Sequence, residues 1–318
     1  PGPIKSKLVP RVGGTAKILY TIYIVLTAAE AVALRIAGMS WFDAVNHAFT
    51  TMATGGFSVR NTSIASYQSD AITWVIIVFT FLAGINFSLL YAVVRGRIKD
   101  ALRSEELRWY LLILAVTITL ICVDLHVELG QGWYESAKDA AFQATTIMST
   151  TGYATKDFTL WPTFSRCILV LLMYVGGCAG STAGGMKISR LMLQVKSLRR
   201  ELDHIIHPNR VSVITMDGQS VDERAVTSAH MFQVAYLLVL MAGTLVVSLD
   251  VLGFTESFVA ALTCVSNVGP SLGALGPMAN FAPLSWFSKL VLALIMLMGR
   301  LELMPMLVLL SPSTWRNK

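Results

Sequence analysis

The stretch TIMSTTGYATKDF, Thr146 to Phe158, places small hydroxyl residues and one glycine directly after a helix-like segment. The chain around it is strongly apolar: 54 % of its 318 residues are hydrophobic, 14 % are charged, and the mean hydropathy is +0.62. Such a composition is typical of a polytopic membrane protein. Irregular polar backbone is tolerated at membrane depth only where protein buries it or where it faces a water-filled cavity. The stretch therefore indicates backbone that lines water or ions.

Apolar segments long enough to cross the bilayer lie on both sides of this stretch. A spanning helix needs about 20 residues to cross about 30 Å of hydrocarbon. Six segments qualify: residues 17–38, 71–94, 109–129, 161–199 with an interruption, 230–252 and 285–310. The sequence thus predicts an all-α polytopic fold.

The basic residues that give a net charge of +6 alternate between the loops. They concentrate before the first span, in every second loop and after the last span. They are Lys5, Lys7, Arg11 and Lys17; Arg95, Arg97, Lys99, Arg103 and Arg108; Lys187, Arg190, Lys196, Arg199, Arg200 and Arg210; and Arg316 and Lys318. By the positive-inside rule, these loops and both termini are cytoplasmic. The charge then reflects membrane topology, and no nucleic-acid partner is expected.

The opening stretch belongs to a unit that occurs three times. Its copies are SWFDAVNHAFTTMATGGFS (Ser40 to Ser58), GWYESAKDAAFQATTIMSTTGYAT (Gly132 to Thr155) and GFTESFVAALTCVSNVGPSLG (Gly253 to Gly273). Each has an aromatic residue, an acid, about ten small or apolar residues at helical spacing, and a Ser/Thr/Asn run ending in glycine. The repeated order is span, half-length helix, glycine loop, span.

Aligning Gly55 with Gly152 and Gly269 superimposes the three loops. A helix of about 12 to 14 residues reaches only about 18 to 21 Å, so it must enter from the outer face and return. Its C-terminal end carries about half a negative charge. The strand that follows can turn carbonyls towards an ion such as K⁺, with glycine permitting the backbone angles and neighbouring hydroxyls satisfying other polar groups. A cation pathway is predicted; the alternative is a packing motif without conduction.

A second irregular segment, GGCAGSTAGG (Gly176 to Gly185), interrupts the fourth span. Each of its five glycines would cost a helix about 1 kcal/mol relative to alanine. The helix is therefore predicted to open there, roughly halfway across the bilayer and beneath the glycine loops. A close-packed patch of the GxxxG kind is the alternative.

Arg300 lies in the last apolar segment, where an arginine costs about 2.5 to 3.5 kcal/mol on insertion scales. It should face the interior and have a partner, either the carbonyls of the opened glycine segment or Glu302. A fixed positive charge below a cation filter raises the barrier for K⁺, so Arg300 and the segment together predict a gate. The alternative is an arginine that snorkels to the interface.

The motifs TMATGGFSVRN, MSTTGYATKDF, CVSNVGPSLGALG and GGCAGSTAGGMKISR resemble the Trk/Ktr/HKT superfamily of cation transporters, and the resemblance runs from near Lys7 to the C-terminus. That family has four such repeats around a pseudo-fourfold pore like that of a potassium channel. The resemblance implies that three are present here and that the first lies upstream of Pro1. The implied divisions are a cytoplasmic lead-in, 1–16, and the second, third and fourth repeats, 17–108, 109–229 and 230–318.

The resemblance also implies which residues form the site. The selectivity filter falls on Ala53, Thr54 and Gly55, on Thr150, Thr151 and Gly152, and on Asn267, Val268 and Gly269. K⁺ would bind at Thr54, Gly55, Thr151, Gly152, Val268 and Gly269. The gate would comprise Gly176, Gly177, Gly180, Ser181, Thr182, Gly184, Gly185 and Arg300. In plant relatives a serine at the first repeat's filter glycine goes with sodium preference, so the three visible glycines suit potassium.

By the same resemblance, the chain is a membrane-embedded K⁺ uptake subunit of the bacterial inner membrane, not an enzyme, with K⁺ as the transported ion and no covalently bound cofactor. The implied partners are a TrkA-like cytoplasmic nucleotide-binding regulatory ring, a second copy in a homodimer, and the lipid bilayer. The ring would dock on the basic loops and on RVSVITMDGQSV (Arg210 to Val221), which the Asp-Gly pair predicts to be a hairpin.

Two other functions stay open at the level of sequence. A K⁺ symporter coupled to H⁺ or Na⁺ would need carboxylates in the spans, for which Glu30 and Glu302 are the candidates. An intramembrane hydrolase would use Ser181 as its nucleophile, but no histidine is clearly placed to activate it.

Overall fold

The computed structural model describes residues 12–209, 212–250, 252–310 and 312–315. In chain order the helices are α1 Val12–Ile36, α2 Trp41–Met52, α3 Asp70–Ala83, α4 Phe87–Val94, α5 Ile98–Arg103, α6 Glu105–Leu129, α7 Trp133–Met148, α8 Thr163–Val175, α9 Ile188–Ile206, α10 Glu223–Val247, α11 Phe254–Ser266, α12 Trp286–Arg300, α13 Leu303–Leu310 and α14 Pro312–Trp315. The strands are β1 Thr215–Met216 and β2 Gln219–Ser220. Most of the predicted lead-in, and the terminal basic residues Lys5, Lys7, Arg11, Arg316 and Lys318, lie outside the described residues.

Apolar helices dominate the fold, as the sequence predicts. Among the described residues, three helices are long and apolar enough to cross a membrane: Ala16–Ile36, Glu105–Leu129 and Glu223–Asp250. Two bent pairs also pass the test when each is taken as one span, α3 with α4 and α12 with α13. The apolar segments predicted over 71–94 and 285–310 are therefore present, but each is broken by a sharp bend that the sequence did not predict.

The first bend, of 103°, separates α3 from α4. The backbone at Gly84 passes so close to α6 that an added Cβ would lie 2.4 Å from the Tyr110 hydroxyl oxygen. Asn86 then begins a new helix, because its side-chain oxygen accepts a hydrogen bond from the Ser88 amide at 2.8 Å. A close backbone approach ends one helix here, and a polar cap starts the next.

The second bend, of 117°, separates α12 from α13. A Cβ added at Gly299 would lie 2.1 Å from the Val265 carbonyl oxygen of α11. Glu302 has a left-handed backbone, with φ of 69°. Arg300 is consequently the last residue of α12 and lies at the bend.

The interruption predicted in the fourth span is confirmed. Helix α8 ends at Val175 and α9 begins at Ile188. Gly176, Gly180 and Gly185 between them have positive φ angles of 71°, 74° and 71°. Such angles are easily adopted only by glycine, so this segment cannot continue the helix.

The half-length helices α2, α7 and α11 contain 12, 16 and 13 residues. Helices α2 and α11 match the predicted length, whereas α7 is longer. Each packs beside the helix that precedes it in the chain: α2 on α1, α7 on α6 and α11 on α10. The largest cluster of buried apolar side chains joins the helices from α6 to α12 and includes Leu169 and Met173.

The hairpin predicted from the Asp-Gly pair is confirmed within the described residues. Strands β1 and β2 pair antiparallel, with Thr215 opposite Ser220. Asp217 and Gly218 at the turn have φ angles of 49° and 76°, as a two-residue hairpin turn of type I′ requires. The Asp217 carboxylate also accepts a 2.7 Å hydrogen bond from the Glu105 amide, so the hairpin lies against the start of α6. Arg210 and Val211 of the predicted segment lie outside the described residues.

Candidate functional site

The loops that follow α2, α7 and α11 share one backbone conformation. Thr54, Thr150 and Asn267 are non-glycine residues with positive φ angles of 51°, 57° and 58°. Two residues later each loop has a glycine with positive φ: Gly56 at 64°, Gly152 at 80° and Gly269 at 107°. The three loops therefore have equivalent backbone conformations.

Hydrogen bonds define the same correspondence between the loops. The amides of Gly55, Thr151 and Val268 donate to the carbonyls of Thr50, Thr146 and Thr263, at 2.7, 2.8 and 2.9 Å. The backbone thus pairs Gly56 with Gly152 and Gly269. The sequence alignment, which used Gly55, is one residue out in the first loop. The error arose because Gly55 and Gly56 are adjacent, and the sequence alone does not show which of them is equivalent to Gly152.

Three threonines support these loops from their helices. The Thr50 and Thr146 hydroxyls donate to the carbonyls of Phe57 and Tyr153, at 2.9 and 3.3 Å. In the third loop, proline follows the glycine, and the Thr263 hydroxyl accepts from the Gly269 amide at 2.8 Å. The expectation that hydroxyl groups satisfy the polar groups of the loops is confirmed at these positions.

The three loops lie edge to edge. A Cβ added at Gly56 would lie 1.8 Å from the Thr151 carbonyl oxygen, and one at Gly152 would lie 1.9 Å from that of Val268. Only glycine permits such contact between neighbouring backbones. At Gly269, by contrast, an added Cβ would meet no described atom within 4 Å.

An aromatic residue follows the glycine in the first two loops. Tyr153 is fully buried against α2, where its hydroxyl donates to the His47 carbonyl at 3.1 Å and lies 2.6 Å from the Thr50 hydroxyl. Phe57, which occupies the equivalent position in the first loop, is 74 % exposed. Sequence reasoning gave Tyr153 no role, although its place directly after a filter glycine was a usable signal.

The glycine segment 176–185 contacts all three loops. The Thr54 hydroxyl donates to the Thr182 carbonyl at 2.8 Å, and the Thr150 hydroxyl accepts from the Gly184 amide at 2.6 Å. A Cβ at Gly184 would lie 2.3 Å from the Ser266 carbonyl oxygen, at the end of α11. The segment therefore closes one side of the site. Of the predicted gate residues in it, Thr182 and Gly184 contact the predicted filter loops, whereas Gly177 and Gly180 lie against Gly84 and Asn86 at the first bend.

Arg300 joins the glycine segment to the first loop. One guanidinium nitrogen donates to the Thr182 carbonyl at 2.9 Å, and the other donates to the Ala53 carbonyl at 3.1 Å. Of the two predicted kinds of partner, the loop carbonyls are the ones observed. Glu302 instead forms an ion pair with Arg190 at 3.0 Å. Arg300 thus contacts the predicted gate and the base of the predicted filter at once.

A cavity of about 460 Å³ borders the glycine segment on the side of α9 and α12. Its wall includes the cationic side chains of Lys187, Arg190 and Arg300 and the carboxylate of Glu302. The Lys187 ammonium group also donates to the Ala183 carbonyl. Cations outnumber the carboxylate in this wall, so the charged side chains around the cavity oppose the entry of a cation.

Glu106 is a site residue that sequence reasoning missed. Its carboxylate accepts a 2.6 Å hydrogen bond from the Ala179 amide of the glycine segment, and the residue is only 8 % exposed. It follows Glu105, whose amide is held by the hairpin and whose carboxylate forms an ion pair with Lys196. A glutamate at the start of an apolar span is a weak signal, because acids are common in the first turn of helices.

Glu30 lies on α1, and its side chain is fully buried. The Thr51 hydroxyl of α2 is the polar neighbour of its carboxyl group, but this hydroxyl donates to the His47 carbonyl at 2.8 Å, which leaves both carboxyl oxygens without a donor among the described residues. Burial without hydrogen bonds strongly disfavours the charged form of a carboxyl group. The two acids of the symport alternative therefore lie in different places. Glu302 lines the cavity, whereas Glu30 is buried on α1, which packs on α2.

Comparison with known proteins gives one consistent family. The family model described as TrkH, a cation transport protein, matches residues 4–317. The chain is 36 % identical over 323 residues to the Trk system potassium uptake protein TrkH of Salmonella typhimurium, and 37 % identical over 326 residues to that of Vibrio parahaemolyticus. Each match covers 100 % of this chain and 66 % of the relative.

A solved structure agrees with these relatives. The crystal structure of the potassium transporter TrkH from Vibrio parahaemolyticus superimposes with a TM-score of 0.89 at 35 % sequence identity. The match covers 97 % of this chain and 66 % of the other. The chain thus spans about two thirds of the length of the relatives that it matches, and it belongs to the TrkH family of cation transport proteins.

Proposed function

We propose that this chain forms most of a gated K⁺ pore and acts as the membrane-embedded subunit of a K⁺ uptake system. The observation that carries the proposal is the set of three loops in one backbone register, edge to edge, above a glycine segment that Arg300 ties to the first of them. The names of the relatives, Trk system potassium uptake proteins, support K⁺ as the ion. Their family is one of transporters and not of enzymes.

The proposed filter comprises Thr54–Gly56, Thr150–Gly152 and Asn267–Gly269, one residue later in the first loop than the sequence alignment has it. Ala53 falls outside it, because its carbonyl accepts a hydrogen bond from the Arg300 guanidinium. Backbone carbonyls of these loops would replace the water around K⁺. The C-terminal ends of α2, α7 and α11 would add negative potential at the same place.

We propose that a fourth loop completes the ring between Gly269 and Phe57. Each of the other two filter glycines meets the next loop's carbonyl, and the buried Tyr153 inserts into the preceding unit. Gly269 and Phe57 are the two positions where this pattern has no partner among the described residues. The three units would be 17–108, 109–229 and 230–318, as the second to fourth of the family's four.

The glycine segment and Arg300 form the proposed gate. The segment crosses the inner side of the filter and contacts all three loops, so an ion leaving the filter would meet its backbone. Arg300 and Lys187 hold its carbonyls at Thr182 and Ala183. Opening requires that these hydrogen bonds break and that the segment move into the adjacent cavity.

A cytoplasmic nucleotide-binding regulatory ring of the TrkA-like kind is the proposed partner, in a homodimer of the bacterial inner membrane with both termini cytoplasmic. The hairpin supports a docking role, since it lies against the start of α6 through Asp217. The homodimer and the ring rest on family resemblance.

A K⁺ symporter coupled to H⁺ or Na⁺ is the second candidate, and one observation favours it: the buried carboxyl of Glu30 has no hydrogen bond among the described residues. A carboxyl group in that setting could carry a proton.

The test is uptake of radioactive Rb⁺ by liposomes that contain the full-length protein, loaded with K⁺ and challenged with external K⁺ or Na⁺. A pore is expected to take up Rb⁺ without a proton or sodium gradient, with inhibition by K⁺ and not by Na⁺. Arg300→Ala should speed uptake because it frees the glycine segment. Arg166→Ala, at an arginine whose guanidinium bonds the Thr163 hydroxyl of its own helix, serves as the matched control. Uptake that requires an ion gradient would favour the symporter.

A further inference from the structure

An ion pair joins each of the first two half-length helices to the irregular segment that follows its filter glycine. We call this the outgoing segment. The Arg60 guanidinium lies 3.0 Å from the Asp43 carboxylate, and the Lys156 ammonium lies 2.6 Å from that of Asp139. In both loops the cation comes four residues after the filter glycine, Gly56 or Gly152. The pairs occupy equivalent positions in the register that the backbone angles define.

The third loop makes the same connection by other means. Glu256 is the equivalent acid, and Gly273 stands where the basic residue would be. The Glu256 carboxylate accepts a 2.9 Å hydrogen bond from the Ala274 amide, and an added Cβ at Gly273 would lie 2.0 Å from the same oxygen. An acid on the half-length helix thus bonds the outgoing segment in all three loops.

The acids are buried and the cations are not. Asp43 and Asp139 are 5 % and 2 % exposed, whereas the side chains of Arg60 and Lys156 are 55 % and 43 % exposed. A buried carboxylate that loses its partner is strongly unfavourable, so each acid holds its cation in place. Because both acids are paired, they present little free charge.

We propose that Asp43–Arg60 and Asp139–Lys156 are clamps that set the position of the first two filter loops and thereby the preference of the pore among monovalent cations. This inference rests on the proposed K⁺ pore. Each ion pair connects the N-terminal part of a half-length helix to the outgoing segment, so the rest of that helix and the filter residues lie between its two ends. A filter made of backbone carbonyls selects ions through the number and placement of those carbonyls. A small movement of the outgoing segment would therefore shift the filter carbonyls and change the preference among monovalent cations without unfolding the protein.

The experiment compares Rb⁺ uptake with Na⁺ uptake in liposomes that contain the full-length protein, for the wild type, Lys156→Met, Lys156→Arg, Asp139→Asn and Asp139→Asn/Lys156→Met. Lys156→Met should lower the ratio of Rb⁺ to Na⁺ uptake about three- to tenfold, the range expected for a coupled pair. Lys156→Arg should retain the ratio. The double variant should lose less than the sum of its single changes, because it leaves no buried charge unpaired.

Lys138→Met is the matched control. Lys138 neighbours Asp139 on the same helix and pairs with Asp70 at 2.6 Å, but this pair closes no filter loop. An unchanged ratio in Lys156→Met, or an equal loss in Lys138→Met, would overturn the clamp while leaving the pore intact. A wild type that carries no Rb⁺ would overturn the proposed function, and the clamp with it.

Discussion

Left-handed backbone at three non-glycine residues is the most local feature of the site. Thr54, Thr150 and Asn267 have φ angles that β-branched residues such as threonine rarely adopt. Such strain costs about 1 to 3 kcal/mol at each threonine and persists only where the surroundings enforce it, whereas asparagine adopts these angles more readily. Here the hydroxyls of both threonines bond the glycine segment, so contacts between filter and gate help to hold the angles.

The correspondence of Gly56 with Gly152 can be tested by alanine at two adjacent positions. Gly56→Ala should abolish selective Rb⁺ uptake, since its Cβ would collide with the Thr151 carbonyl oxygen. Gly55→Ala should be tolerated, because the equivalent positions carry the side chains of Thr151 and Val268. The measurement is Rb⁺ uptake with Na⁺ competition. The reverse order of effects would restore the alignment based on Gly55.

Glu30 decides between the pore and the symporter. Glu30→Gln preserves the shape of the side chain and removes its ability to ionise. For a pore we expect Rb⁺ uptake within about twofold of the wild type, with no drive from a pH gradient in either protein. Uptake that a pH gradient drives in the wild type but not in Glu30→Gln would establish proton coupling instead.

At the scale of elements, broken helices distinguish this fold from a simple bundle. Helix α3 stops where Gly84 packs against Tyr110, α8 stops at the glycine segment, and α12 stops at Arg300. The freed backbone groups bond one another: the Cys178 amide donates to the Gly84 carbonyl at 3.0 Å, and the Phe87 amide donates to the Gly180 carbonyl at 3.2 Å. Irregular backbone is thus satisfied by protein, as membrane depth requires.

Glu106 should act as an anchor of the glycine segment. Glu106→Ala removes the acceptor for the Ala179 amide, and hydrogen bonds to charged groups contribute about 1.5 to 3 kcal/mol. We expect faster Rb⁺ uptake in Glu106→Ala and near-normal uptake in Glu106→Gln, which retains an acceptor. Glu128→Ala, at an exposed glutamate on the same helix, is the control. Equal rates in all three variants would remove Glu106 from the gate.

At the scale of the whole molecule, the ring of loops has two unpartnered edges in the described chain. A Cβ added at Gly269 would meet no described atom within 4 Å on one edge, and Phe57 is exposed on the other. The wall of the proposed pore is closed only if another segment covers both edges.

Phe57→Ala measures whether its edge is covered. If a fourth unit buries this ring, the change should destabilise the full-length protein by about 3 to 5 kcal/mol, as for a core phenylalanine. Phe164→Ala, at a residue 52 % exposed on α8, should change stability by less than about 0.5 kcal/mol. Thermal unfolding in detergent gives the comparison. Similar small shifts in both variants would mean that nothing packs on Phe57.

The sequence by itself determined the apolar spans, the half-length helices and the opened glycine segment, because hydropathy and glycine content act over short stretches of chain. It also predicted the carbonyls of that segment as one of two kinds of partner for Arg300, and the structure shows that bond. Contacts between distant segments decided the rest. Gly56 rather than Gly55 faces the next loop because Thr151 lies against it, and position 84 needs glycine because Tyr110 occupies the space that a Cβ would take. Glu106 and Lys156 acquired their partners only when the chain folded, since nothing in their neighbouring residues specifies a contact across helices.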